Sequence, residues 1–186
     1  MSARLADVGA PSQIGHFLRM EAALGGFASR LLVCAGRPFG PQMPQDDKYV
    51  RGEPRQCFRN AFVLAQENHE LTYCEGRAFA TVPIPVEHAW CVTRDGRVVD
   101  NTWPDGGEYF GIAFSTPFLL SWIQRTGVYG VLGTHFPEVL LSADPREFLA
   151  DARPGVPEAT RALCDEMLGK LKNIEPAAAP RRTRRP

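Results

Sequence analysis

The sequence lacks any apolar run near the roughly 20 residues that span a bilayer, so no membrane-crossing helix is expected. It also lacks an excess of charge of either sign. Its 21 Lys and Arg balance 21 Asp and Glu, which excludes the one-signed field that draws nucleic acid or an anionic membrane. Cysteine is scarce, with five in all. Cys34, Cys57, Cys74, Cys91 and Cys164 show neither the even, close spacing of a disulfide framework nor the short spacing of zinc knuckles. No metal or other cofactor is therefore expected, and most of these thiols read as small buried groups in a reducing, cytoplasmic setting. The opening "MSARLADVGAPSQIGHFLRM" has no apolar core of the secretory kind, which agrees with that expectation. Internal repeats are missing too. Basic charge is dense only in "PRRTRRP", so residues 176–186 are expected to form a disordered Arg-rich tail, too short to make nucleic acid the expected partner.

What is present suits one domain over residues 1–175: 186 residues, 44% of them hydrophobic, can bury a substantial core. Helical periodicity runs from Ile14 to Leu24, and "FASRLLVCAG" predicts a second helix that stops at Gly36. The Pro- and Gly-rich "RPFGPQMPQDDKYVRGEPRQ" reads as a long loop, so residues 1–50 are expected to hold N-terminal helices and loop. Residues 55–113 form the expected core. "CFRNAFVLAQEN" is a largely buried helix, "YCEGRAFATV" a strand ending at "PIP", and "VEHAWCVTRDGRVVDNTW" a hairpin. A short strand is expected from Tyr109 to Ala113. Residues 115–175 should be helical. Ser115 opens a helix that Gly127 closes, Asp144-Pro145 begins another through Ala150, and "PEATRALCDEMLGKLKNI" is amphipathic. The fold class is α+β, with helices around a small antiparallel sheet.

Cys57, His88 and Asp100 occur in the order that thiol catalysis requires. An imidazole must take the thiol proton, and a carboxylate or amide must orient the imidazole through its other nitrogen. Cys57 falls in the first turn of a helix, where unpaired backbone N–H groups and the helix dipole favour a thiolate. The same N–H groups, with the adjacent Gln56 amide, suit an oxyanion. Each residue also has a plainer reading: a cysteine in an apolar helix is commonly core, a histidine at a strand start commonly structural, and an Asp commonly opens a turn. The joint arrangement carries the catalytic reading. His16, His69 and His135 have no such setting.

Hairpin register decides the partner of His88. A two-residue Asp95-Gly96 turn sets His88 on the same face as Asn101. A three-residue Arg94-Asp95-Gly96 turn with left-handed Gly96 pairs Thr93 with Arg97 and makes Asp100 the same-face diagonal neighbour. The shorter turn places Arg94 against Arg97, a like-charge pair, which favours Asp100 and leaves Asn101 as the alternative.

The segment "QCFRNAFVLAQENHELTYCEGRAFATVPIPVEHAWCVTRDGRVVDNTW" resembles the core of the transglutaminase-like cysteine peptidase superfamily, most specifically in "HAW" and "DNTW". Asn101 stands where that family often has Pro. The resemblance implies a papain-like core in which a central Cys-bearing helix packs on an antiparallel sheet. It also implies Cys57 as nucleophile, His88 as general base and Asp100 as its orienting acid. The expected function is a cysteine hydrolase or acyltransferase that takes a peptide, small amide or ester through a thioester. A non-catalytic binding module on the same fold is the alternative. Trp90, Trp103 and Tyr109 gather near the hairpin, either as cover for one end of the sheet or as walls of a substrate cleft. The loop ahead of Cys57 would then close over that cleft as a lid.

Overall fold

Alternation along residues 72–79 and 86–92 puts large apolar side chains on both faces of two central strands, and helices and a loop cover them. The computed structural model describes residues 13–24, 26–40, 42–44, 47–80, 84–133, 139–140, 143–150 and 162. Cys164, His135, the helix expected within 157–174 and the Arg-rich tail lie outside them. The described elements are α1 (Gln13–Ala23), α2 (Phe27–Ala35), β1 (Arg37–Phe39), α3 (Cys57–Glu67), β2 (Thr72–Phe79), β3 (Val86–Val92), β4 (Val98–Val99), β5 (Glu108–Ala113), α4 (Thr116–Thr126) and α5 (Pro145–Phe148). The strands form one curled sheet in the order β1-β5-β2-β3-β4, and every neighbouring pair is antiparallel. The chain is thus a mixed α+β structure. None of the described helices is long and apolar enough to cross a membrane.

The faces of the sheet carry different chemistry. Tyr73, Ala89 and Cys91 point into a core with Ile14 and Leu18 of α1, Leu31 and Leu32 of α2, and Ala61 and Leu64 of α3. The Cys91 thiol donates to the Ala61 carbonyl at 3.2 Å, which fixes α3 on this face. On the other face Cys74, Ala78, Trp90 and Tyr109 form a second cluster with Phe39, and His88 lies among these rings. Gly76 pairs with His88 in register, and a Cβ at Gly76 would meet the Phe110 carbonyl oxygen at 2.2 Å, so only glycine allows β5 to approach here.

Two expectations for this region change. Residues 37–39, within the expected loop, are an edge strand paired with β5, because Phe39 packs edge-on against buried Trp90 with centroids 5.8 Å apart. Described residues in the rest of the loop are tied to the sheet at two points. The Met43 amide donates to the Val98 carbonyl at 2.7 Å, and the Gly52 amide donates to the Asn101 carbonyl at 2.8 Å. Met43 and Gly52 thus lie along the β4 side of the sheet. Other elements follow the sequence closely. Gly127 adopts φ +71° and its amide closes α4 on the Ile123 carbonyl at 2.8 Å.

Candidate active site

The turn between β3 and β4 has three residues. The Thr93 amide donates to the Arg97 carbonyl at 3.0 Å, the Gly96 amide donates to the Thr93 carbonyl at 2.9 Å, and Gly96 has φ +83°. Cys91 consequently pairs with Val99 and Val92 with Val98. Carried two residues toward the strand start, this register puts His88 and Asp100 on one face. His88 Nε2 lies 2.7 Å from Asp100 Oδ2, with both side chains buried. Asn101, the alternative partner, turns away and donates to the Val50 carbonyl at 3.2 Å.

Asp100 accepts from four donors. Its Oδ1 takes the backbone N–H groups of Thr102 at 2.9 Å and Trp103 at 3.0 Å, an Asx-type turn that ends β4 after two residues. Its Oδ2 takes His88 and the Tyr109 hydroxyl, the latter at 2.9 Å. The Trp103 indole stacks flat on the imidazole, with centroids 3.7 Å apart and planes 9° from parallel.

Cys57 opens α3 and is half-buried. No side chain caps this helix and no acid occupies its first turn, so its N-terminal N–H groups stay open to an anion. The thiol is close enough to His88 to act on its protonation. With Nε2 committed to Asp100, Nδ1 is the ring nitrogen left for it. Burial alone pushes the imidazole pKa down, but the hydrogen bonds to Asp100 and then to Cys57 outweigh it and raise it to about 9. Gln56 is exposed, and its side-chain oxygen accepts from Arg59 at 3.3 Å. Arg55, just before it, has φ +65°, a costly conformation for a residue with a side chain.

The aromatic expectations divide. Trp103 is half-buried and stacks on the His88 imidazole. Trp90 and Tyr109 are fully buried, so neither walls a cleft. Trp90 fills the sheet beneath His88, and Tyr109 spends its hydroxyl on Asp100.

Two buried polar residues on which the sequence reading placed no role support the site. Asn60, one turn beyond Cys57, donates through Nδ2 to the Glu53 carbonyl at 2.7 Å and to Thr102 Oγ1 at 3.0 Å, while its Oδ1 accepts the Glu53 amide at 3.2 Å. It ties α3 to the turn that carries Asp100. An Asn one turn after the Cys was the available signal. Asn60→Ala is expected to cost about 2 kcal/mol by orphaning these groups. Gly52→Ala should act in the same direction, since its Cβ would stand 2.2 Å from Asn60 Cγ. Urea midpoints of the two variants check this.

Glu75 on β2 is the other. It faces α3 and accepts the Val131 amide at 2.8 Å, the Leu132 amide at 2.7 Å and the Tyr73 hydroxyl at 3.0 Å. No protein-family model, no curated protein and no solved structure matches this chain.

Proposed function

We propose that the chain is a cysteine-nucleophile hydrolase or acyltransferase on a papain- and transglutaminase-like core, acting on a peptide, small amide or ester. One observation carries this reading: a buried imidazole is bonded at Nε2 to a fully engaged carboxylate, and its protonation is influenced by a thiol that opens an uncapped helix. The base, its orienter and the nucleophile then have separate structural sources, as acyl transfer requires.

In the reaction, the thiol proton passes to His88 and Cys57 sulfur attacks the carbonyl carbon. A C–S bond forms as the carbonyl electron pair moves to oxygen. The open N–H groups of the first α3 turn, including that of Cys57, receive this oxyanion. Its collapse breaks the bond to nitrogen or oxygen, and the imidazolium donates its proton to the leaving group. Water or an amine next adds to the thioester, losing a proton to His88, and the thiolate departs. Asp100 holds the tautomer and supports the imidazolium throughout. Trp103 covers the ring and keeps water from the Asp100–His88 bond.

The test is substoichiometric alkylation with iodoacetamide at pH 6, read by peptide mass mapping. Cys57 is expected to react before Cys34 although Cys34 is the more exposed, while Cys74 and Cys91 stay silent. Burial also pushes the Cys91 thiol pKa upward. His88→Ala should remove the Cys57 preference, and a thioester adduct trapped on Cys57 from a peptide and small-amide library would identify the acyl group. Equal labelling of Cys34 and Cys57, unaffected by His88→Ala, would sink the proposal.

A further inference from the structure

We propose that Tyr109 and Gln42 are positioning residues that extend the Asp100–His88 pair, Gln42 cross-linking the carboxylate's phenol donor to the backbone of the indole covering the imidazole. The inference rests on the Cys57–His88–Asp100 reading and adds to it how the acid is held. Gln42 Nε2 donates to the Trp103 carbonyl at 2.8 Å, which fixes the orientation of its amide. Its Oε1 then faces the Tyr109 hydroxyl at 3.1 Å. That hydroxyl is also 2.9 Å from Asp100 Oδ2, the oxygen that holds His88. One phenol proton thus stands between two acceptors, and the Asp100 oxygen is the nearer of the two.

The arrangement joins three separate parts of the chain: the segment after β1, the turn after β4, and β5. Gly106 seals it, because a Cβ there would lie 1.7 Å from the Tyr109 hydroxyl. Burial, then the charge of Asp100, holds the phenol far above its usual pKa, so it stays a donor at every working pH.

The effect on His88 has a definite sign. A donor on Asp100 Oδ2 drains charge from the carboxylate and weakens its pull on the imidazolium. Removing that donor should strengthen the pull and make His88 a weaker acid. The groups acting on His88 are Asp100, Cys57 on α3 and, through Asp100, Tyr109. Asp105 acts on Tyr109, and β2 presents only Gly76 opposite the ring.

Three variants of the full chain test this: Tyr109→Phe, Gly106→Ala and Gln42→Leu. Gly106→Ala keeps every residue of the relay but displaces the hydroxyl, so it serves if Tyr109→Phe fails to fold. The first readout is the ring ¹⁵N shift of His88 against pH, which needs neither substrate nor a reactive thiol. Tyr109→Phe and Gly106→Ala should raise the His88 midpoint by about 0.5–1 unit. Gln42→Leu frees the phenol proton for Asp100 alone and should lower it. The second readout is the pH profile of Cys57 alkylation, whose upper limb should move with the His88 midpoint. Midpoints within about 0.2 unit of the unmodified chain in all three folded variants would overturn the proposal. If the His88 midpoint moves while Cys57 never outpaces Cys34, the relay stands and the nucleophile reading fails. If Cys57 is preferentially labelled and no midpoint moves, the nucleophile reading stands and the relay fails.

Discussion

Asp100→Ala is expected to drop the His88 pKa from about 9 to about 6.5 or below and to slow Cys57 alkylation at pH 6 on the order of a hundredfold or more. Burial is the largest influence on this imidazole and acts downward, and the hydrogen bond to Asp100 is the first of the contributions opposing it. Without the carboxylate, burial is countered by Cys57 alone. The ring also loses the partner that fixes its tautomer, and Nδ1 no longer faces the thiol by default. The substitution also strands the amides of Thr102 and Trp103 and leaves the Tyr109 hydroxyl with Gln42 Oε1 alone. Their loss should cost about 3–5 kcal/mol. The pH dependence has a fixed sign. A histidine whose folded pKa lies above its unfolded value near 6.5 contributes stability that is complete below about 6.5 and lost as pH rises through about 9. The stability gap between the unmodified chain and Asp100→Ala should therefore narrow between pH 6 and pH 10. Asp100→Asn separates shape from charge. It keeps an oxygen for the two amides but sets an NH2 or a second tautomer against His88, so labelling should still fall while stability suffers less. Urea titrations at pH 6 and pH 10, with alkylation rates at pH 6, test both variants. An alkylation rate unchanged in Asp100→Asn would remove Asp100 from the mechanism.

The hairpin shows what a sequence can specify. Gly96 and the like charges of Arg94 and Arg97 carry enough local information to select the three-residue turn, and with a side-chain period of two that selection fixes the face of each residue to the strand end. His88 and Asp100 were legible for this reason, as were Ser115 and Gly127 at the ends of α4, where capping is also local. The failures came from tertiary contacts. Nothing in "RPFGPQ" is strand-like by period, and β1 exists only because β5 offers it an edge and Trp90 offers Phe39 a surface. For Tyr109 and Trp90 the sequence leaves both cover and cleft wall open, because aromatics near a site suit either burial or binding, and only the curl of the sheet puts them inside. The roles of Asn60 and Glu75 are not visible in the sequence, because a polar residue in a helix or strand ordinarily faces water. Their partners lie 42 and 56 residues away in sequence, at Thr102 and Val131.

Glu75 carries the remaining large expected effect: the chain should lose stability as pH rises from about 4.5 to about 7, on the order of 3 kcal/mol, and Glu75→Gln should abolish that loss. Burial, the dominant influence, lifts the Glu75 pKa to about 7, against the lowering by the Val131 and Leu132 amides and the Tyr73 hydroxyl. A carboxyl whose folded pKa exceeds its unfolded value near 4.5 favours the folded state fully below about 4.5. That preference disappears as pH climbs through about 7, because the folded chain must then hold a buried charge. His88 continues the decline toward pH 9, so the urea midpoint should be highest in mild acid. Glu75→Gln leaves one acceptor oxygen for sites that used two, and should cost about 1–2 kcal/mol at pH 5 while flattening the profile from 4.5 to 7. Glu75→Ala strands both amides and the phenol and should cost about 3–5 kcal/mol at pH 5. The consequence reaches the site. The segment held by Glu75 includes Gly130, whose carbonyl accepts the Trp122 indole N–H at 3.1 Å and whose Cα faces Phe58, the residue after Cys57. Ionising Glu75 strengthens its grip on the two amides even as it lowers global stability, so hydrogen exchange at Val131 and Leu132 should slow, relative to the global opening rate, between pH 5 and pH 8. A midpoint profile of Glu75→Gln that still fell between pH 4.5 and 7 would assign the decline to another group and leave Glu75 as a fixed strut.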